Sequence, residues 1–169
     1  MSSNTQTDAT PNAGEQALVI TRVFDAPRTL VFKAWTEPER LMRWWGPHGF
    51  TTPFCTIDLR PGGVFHHCMR SPEGHDYWSK GVYRDIVEPE QIVCTDFFSD
   101  AEGNLVSPTY YGMSPDWPPE ALVTVTFAEH DGKTTLTLHH TIGSAPAAER
   151  DQCRAGWSES LDRLATYLS

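Results

Sequence analysis

Two adjacent histidine pairs, His66-His67 and His139-His140, are the residues whose types most directly suggest chemistry. An imidazole titrates near neutrality, so it can pass a proton, orient a ligand or bind a metal ion. A zinc site needs three or four such donors converging on one point. Adjacent strand residues point to opposite faces, so each pair offers only one imidazole to any one side, and no native metal is expected. Parity then selects the partners: Phe65, His67 and Met69 share one face, and Leu136, Leu138 and His140 share another. With those apolar neighbours in the core, His67 and His140 face inward. They are then either neutral buried histidines holding one hydrogen bond each, or polar handles in an apolar pocket and candidates for acid-base catalysis. Asp96, between Thr95 and Phe97, is either an orienting carboxylate or an outward-facing strand residue, and its face is left open.

Several other chemistries lack their simplest signature. The chain has no G-x-S-x-G elbow, no G-x-x-x-x-G-K-[ST] phosphate loop, no G-x-G-x-x-G turn and no H-E-x-x-H pair. No cofactor is expected. The aromatic side chains form a second candidate set, and the ordinary place for a large ring is the core, as for Trp35 and Phe127. The tandem Trp44-Trp45, just before Gly46-Pro47, cannot both enter one packed core, so one of them is expected to wall a cavity. Trp157 beside Gly156, Tyr83 after Gly81, and Tyr111 and Met113 from a long loop extend that wall and its lid. Phe65, Met69, Phe127, Leu138 and Leu161 complete the candidate lining.

These residues need elements to position them. At 169 residues the chain is the length of one domain, expected over 17–169, after a Ser-, Thr-, Asn- and Pro-rich tail at 1–16 expected to be disordered. The sequence predicts a first strand over 17–24, then a helix start at Asp25-Ala26-Pro27. Thr36 and Glu39 have capping-box spacing, which opens a second short helix ending at Trp44-Trp45-Gly46-Pro47. Six further strands follow at 51–59, 64–70, 77–87, 92–98, 121–129 and 134–142. The punctuation between most of them, such as Pro61-Gly62-Gly63 and Asp131-Gly132, is too short for parallel crossovers, so the sheet should be antiparallel. The exception is the stretch 99–120, broken by Pro108, Pro115, Pro118 and Pro119 and long enough to act as a lid. Residues 147–168 place Cys153, Trp157, Leu161, Leu164 and Leu168 on one helical stripe, with Gly156 allowing close backbone approach. The expected fold is α+β: a seven-stranded antiparallel sheet wrapped around a long C-terminal helix, with two short helices after the first strand.

Along this framework the chain carries a resemblance. Phe24-Asp25-Ala26-Pro27, Val31-Phe32-Lys33-Ala34-Trp35-Thr36, Trp44-Trp45-Gly46-Pro47, Asp58-Leu59-Arg60-Pro61-Gly62-Gly63, Gly81-Val82-Tyr83, Tyr111-Gly112-Met113 and Gly156-Trp157 leading to Leu161-Asp162-Arg163-Leu164 fall in one order. They resemble the SRPBCC superfamily, in its branch named for the activator of heat-shock protein 90 ATPase homologue. The resemblance implies the helix-grip fold of the major birch-pollen allergen and of lipid-transfer START domains. It implies no one activity, since that fold hosts carriers, cyclases, hydrolases and chaperone cofactors.

Charge narrows the functions. Lys+Arg 13 against Asp+Glu 22 gives a net charge of -9, which repels phosphate backbones and anionic lipid, so neither nucleic-acid binding nor membrane insertion is expected. There is no membrane-length apolar run or leader pattern, and the four scattered cysteines suit reduced thiols, so the protein is expected in the cytoplasm. The leading expectation is a protein that binds a small apolar or aromatic molecule between sheet and helix. The alternative is a cavity enzyme of cyclase or hydrolase type using His67 or His140. A chaperone partner ranks last, because eukaryotic activators of that family carry a further domain that this chain lacks. Edge strands leave a homodimer open.

Overall fold

Alternation of apolar and polar residues dictates the sheet: along 121–127, Ala121, Val123, Val125 and Phe127 are buried, while the intervening Leu122, Thr124 and Thr126 are not. The computed structural model describes residues 17–169, so the tail expected at 1–16 lies outside the described residues. In chain order the elements are β1 (Leu18–Phe24), α1 (Arg28–Thr36), α2 (Pro38–Leu41), β2 (Thr51–Ile57), β3 (Val64–Arg70), β4 (Asp76–Val87), β5 (Gln91–Ser99), a 3-10 turn (Pro108–Tyr111), β6 (Ala121–His130), β7 (Lys133–His140) and α3 (Ala147–Leu168). The seven strands form one sheet in the order β1-β7-β6-β5-β4-β3-β2, and every neighbouring pair is antiparallel. This is the helix-grip arrangement expected from the sequence. Among the described residues, no helix is long and apolar enough to cross a membrane.

Curvature comes from specific places. The β4/β5 ladder shifts register between Tyr83 and Asp85, and the β2/β3 ladder between Thr51 and Phe54, at an edge strand that tolerates Pro53. In the middle of β4, a Cβ at Gly81 would lie 2.0 Å from the Thr95 carbonyl oxygen and 2.3 Å from Cζ of Phe65, so only glycine lets the Phe65 ring lie across the strand.

Two local expectations are corrected. Thr36 does not cap α2: its hydroxyl donates to the Phe32 carbonyl at 2.9 Å, within the last turn of α1, and Glu37 takes the capping position without a side-chain bond. The second helix stops at Leu41, because the chain leaves it in tight turns that carry Trp44 and Trp45 to different places.

The helix α3 grips the sheet unevenly. Leu161 and Leu164 are fully buried, each such side chain contributing on the order of 1.5–3 kcal/mol. One to two turns upstream, Cys153, Gly156 and Trp157 are only half-buried. The seated half is tied down at both sides: Arg22 of β1 bonds Asp162 at 2.8 Å, and the Arg163 guanidinium donates to the carbonyls of Trp45, Gly46 and Pro47 at 2.9–3.2 Å. Gly156 does not serve close approach, as a Cβ there would meet only Cγ of Pro47 at an ordinary 3.6 Å. Where α3 stands off, a cavity opens.

Candidate ligand cavity and its imidazole cluster

The cavity of about 280 Å³ lies between the inner face of β3–β7, the upstream half of α3 and the long loop before β6. A second hollow of about 60 Å³ adjoins it deeper in the core. Trp45, His67, Asp96 and Trp157 line both, so these four form the partition. Trp45 is placed there by its backbone, whose carbonyl accepts from the Thr52 hydroxyl at 2.9 Å and from Arg163 at 3.2 Å. Its ring sits 5.3 Å from that of Trp157 and 5.0 Å from the imidazole of His67.

Of the sequence-derived candidates, the structure brings Trp45, His67, Met69, Met113, His140 and Trp157 to the larger cavity, and Phe65 and Tyr83 to the smaller one. Five lie elsewhere. Trp44 is fully buried and donates its indole N–H to the Ala34 carbonyl at 3.0 Å. Phe127, Leu138 and Leu161 are closed in by the core. Tyr111 is a fastening: its hydroxyl donates to the Ser99 carbonyl at 2.6 Å and accepts from the Trp78 amide at 3.0 Å, joining the long loop to the ends of β4 and β5.

The two inward imidazoles have opposite surroundings. His67 is 5% exposed, and its Nδ1 has no hydrogen-bond partner among the described residues. Burial therefore dominates, overriding the nearby Asp96 carboxylate, and lowers its pKa to about 4, so the ring is neutral. His140 is equally buried but engaged on both sides. Its Nε2 lies 3.3 Å from Oδ2 of Asp96, and its Nδ1 accepts from the Trp157 indole N–H at 3.2 Å. Burial again opposes the cation, but the hydrogen bonds to Asp96 and Cys153 outweigh it and raise the pKa to about 9. A neutral ring keeps Nδ1 as acceptor for Trp157; a protonated ring turns an Nδ1–H toward Cys153, whose Sγ is 3.7 Å away. The outward members behave differently: His66 meets the Asp100 carbonyl at 3.2 Å, and His139 is exposed. Among the described residues, no group of three or more His, Cys, Asp or Glu side chains is gathered as a metal site.

Three participants were missed or left open in the sequence. The inward face of Asp96 was available from parity, because it alternates with the apolar Ile92 and Cys94. Cys153 was placed on the correct helical stripe but read only as a buried thiol. Glu149 gave no signal, since an acidic residue in a first helical turn is ordinary. Its carboxylate accepts from the Ser114 amide at 3.1 Å and from the Trp117 indole N–H, fastening the long loop over the cavity.

A curled antiparallel sheet closing on a terminal helix around an apolar hollow with a few buried polar groups defines a helix-grip cavity protein. The family model described as Activator of Hsp90 ATPase homolog 1-like protein matches residues 25–169, and the chain belongs to this family. Among solved structures, a Mycobacterium smegmatis protein is 28% identical with a TM-score of 0.74, covering 96% of each chain. A Nitrosomonas europaea protein is 23% identical at TM-score 0.74, covering 91% of this chain and 94% of its own. An Arthrobacter aurescens protein is 22% identical at TM-score 0.78, covering 97% and 92%. The last two likenesses concern the fold alone. No curated protein matches the chain.

Proposed function

We propose that the protein binds a small, largely apolar or aromatic molecule in the cavity between sheet and α3. The observation that carries this reading is a hollow of about 280 Å³ walled by Trp45, Met69, Met113 and Trp157 and containing the two imidazoles. A cavity of roughly 150 Å³ holds one benzene ring, so this one suits a molecule of about two rings. Among the described residues, three buried side-chain nitrogens lack a hydrogen-bond partner, and two of them, Trp35 Nε1 and His67 Nδ1, belong to residues lining the inner hollow. Leaving such a group unpaired costs about 1–3 kcal/mol, which favours a ligand with one hydroxyl, carbonyl or amine on its apolar body.

The test is titration with the neutral fluorophore N-phenyl-1-naphthylamine. Saturable binding of one probe per chain is expected, together with its loss in Gly156→Leu, which grows a side chain into the cavity from a lining position where a Cβ makes only one ordinary contact. Absence of saturable binding, or equal binding by Gly156→Leu at unchanged thermal stability, would overturn the reading.

A further inference from the structure

Cys153 stands one helical turn before Trp157 on α3 and meets the same imidazole. Its Sγ lies 3.7 Å from Nδ1 of His140, and Nε2 of that ring lies 3.3 Å from Oδ2 of Asp96. Thiol, imidazole and carboxylate follow one another in the order that activates a cysteine: the carboxylate orients the ring and stabilises its cation, and the ring accepts the thiol proton. All three residues line the larger cavity. An environment that favours the imidazolium suits the ring to hold the proton it shares with Sγ. The remaining thiols are held protonated by burial, Cys55 up to about 12, Cys68 up to about 11 and Cys94 also upward.

We propose that Cys153, His140 and Asp96 form a nucleophilic triad that takes an acyl group from an ester or thioester seated in the cavity, an activity that rests on the cavity being a ligand site. With the proton that Sγ and His140 share held on Nδ1, Sγ bonds the acyl carbon. The bond from that carbon to the alcohol or thiol leaving group breaks, and the leaving group departs with the proton from Nδ1. Water then attacks the acyl-cysteine, releasing a carboxylic acid and restoring the thiol, so one ester and one water become one acid and one alcohol. Trp157, whose indole N–H can bond Nδ1 only while that nitrogen is unprotonated, is free to donate to the acyl oxygen as it gains charge when Nδ1 holds the proton. Asp96 is a positioning residue here: it acts through the ring and touches no reacting atom. The apolar walls select an aryl or short aliphatic acyl group.

The experiment uses p-nitrophenyl acetate with the full chain. A burst of one p-nitrophenol per chain is expected, with one acetyl group recovered on the peptide containing Cys153; Cys153→Ser should abolish the burst and Asp96→Asn slow it about 100-fold. A second readout separates positioning from simple structural support. Alkylation of Cys153 by iodoacetamide is followed against pH, with Asp96, His67 and Glu149 as the other titratable groups facing the cavity. Neutralising Asp96 destabilises the imidazolium, so the alkylation midpoint should move to higher pH in Asp96→Asn. No burst in the wild type, a burst that persists in Cys153→Ser, or an unmoved midpoint overturns the triad. N-phenyl-1-naphthylamine binding by the same wild-type samples separates the two failures: with binding intact only the triad falls, and without it the ligand site falls as well.

Discussion

The carboxylate of Asp96 on β5 reaches Nε2 of His140 on β7 at 3.3 Å, spanning the strand that lies between them. The intervening strand allows it because Ala121, paired with Asp96 in the ladder, presents only a methyl group. The same carboxylate raises the pKa of His67 only through space, and there burial wins. One acidic side chain thus leaves two buried histidines in opposite states.

That contrast sets the pH dependence of stability. The unfolded chain protonates His67 near 6.5 and the folded chain only near 4, so between these values the unfolded state binds more protons and stability falls as pH falls. The loss should reach about 3 kcal/mol at pH 4, and His67→Gln should flatten it in denaturation curves. His140 acts with the opposite sign: its contribution is complete below 6.5 and is lost as pH rises through about 9. His140→Gln should therefore flatten the alkaline limb and leave the acid limb in place.

Two glycines should respond in opposite ways to alanine. Gly81→Ala drives a methyl group into the Thr95 carbonyl and the Phe65 ring, and is expected to cost at least about 3 kcal/mol with loss of probe binding. Gly156→Ala meets only an ordinary contact with Cγ of Pro47 at 3.6 Å and removes a mid-helix glycine, so it should stabilise by up to about 1 kcal/mol. Thermal melts of both variants decide the matter.

Trp157→Ala removes an indole that stacks on Trp35 at 6.1 Å but already faces open space on its cavity side. The expected loss is about 1–2 kcal/mol, less than the roughly 3–5 kcal/mol of a tightly packed tryptophan. Probe binding should change with it. A loss in the upper range with unaltered probe binding would mean that the indole serves the core alone.

Glu149→Ala unfastens the long loop, leaving the Trp117 indole N–H and the Ser114 amide without their acceptor. Hydrogen exchange at residues 113–118 should accelerate while the strands keep their protection, and stability should drop by about 1–3 kcal/mol. Unchanged exchange in the loop would show that other contacts hold it.

Periodicity was the strongest guide, and it worked where one face is buried. The alternation Phe65-His67-Met69 and Leu136-Leu138-His140 identified both inward histidines, because a pleated strand leaves no third direction. Strand ends were legible to within two residues, since Gly, Pro and Asp turns interrupt hydrogen bonding on both sides. The capping-box pattern at Thr36 failed because a hydroxyl can bond backward to its own helix as readily as forward to the next. Trp44 and Trp45 could not be separated by type: their fates depend on turns after Leu41 and on Arg163, 118 residues from Trp45. The relation of Cys153 to His140 was equally invisible, because it depends on the angle at which α3 crosses the sheet.

The uneven seating of α3 divides the chain into a scaffold and an aperture. Leu161, Leu164 and the arginine ties hold the scaffold half, whereas Cys153, Gly156 and Trp157 border the aperture and carry little of its stability. Replacements at the aperture can therefore accumulate without threatening the fold. Relatives sharing only 22–28% of their residues keep the same backbone, with TM-scores from 0.74 to 0.78. On the proposed reading of the cavity as a ligand site, a lineage built this way would exchange one guest for another by altering a few mouth residues, and guest preference would diverge faster than architecture.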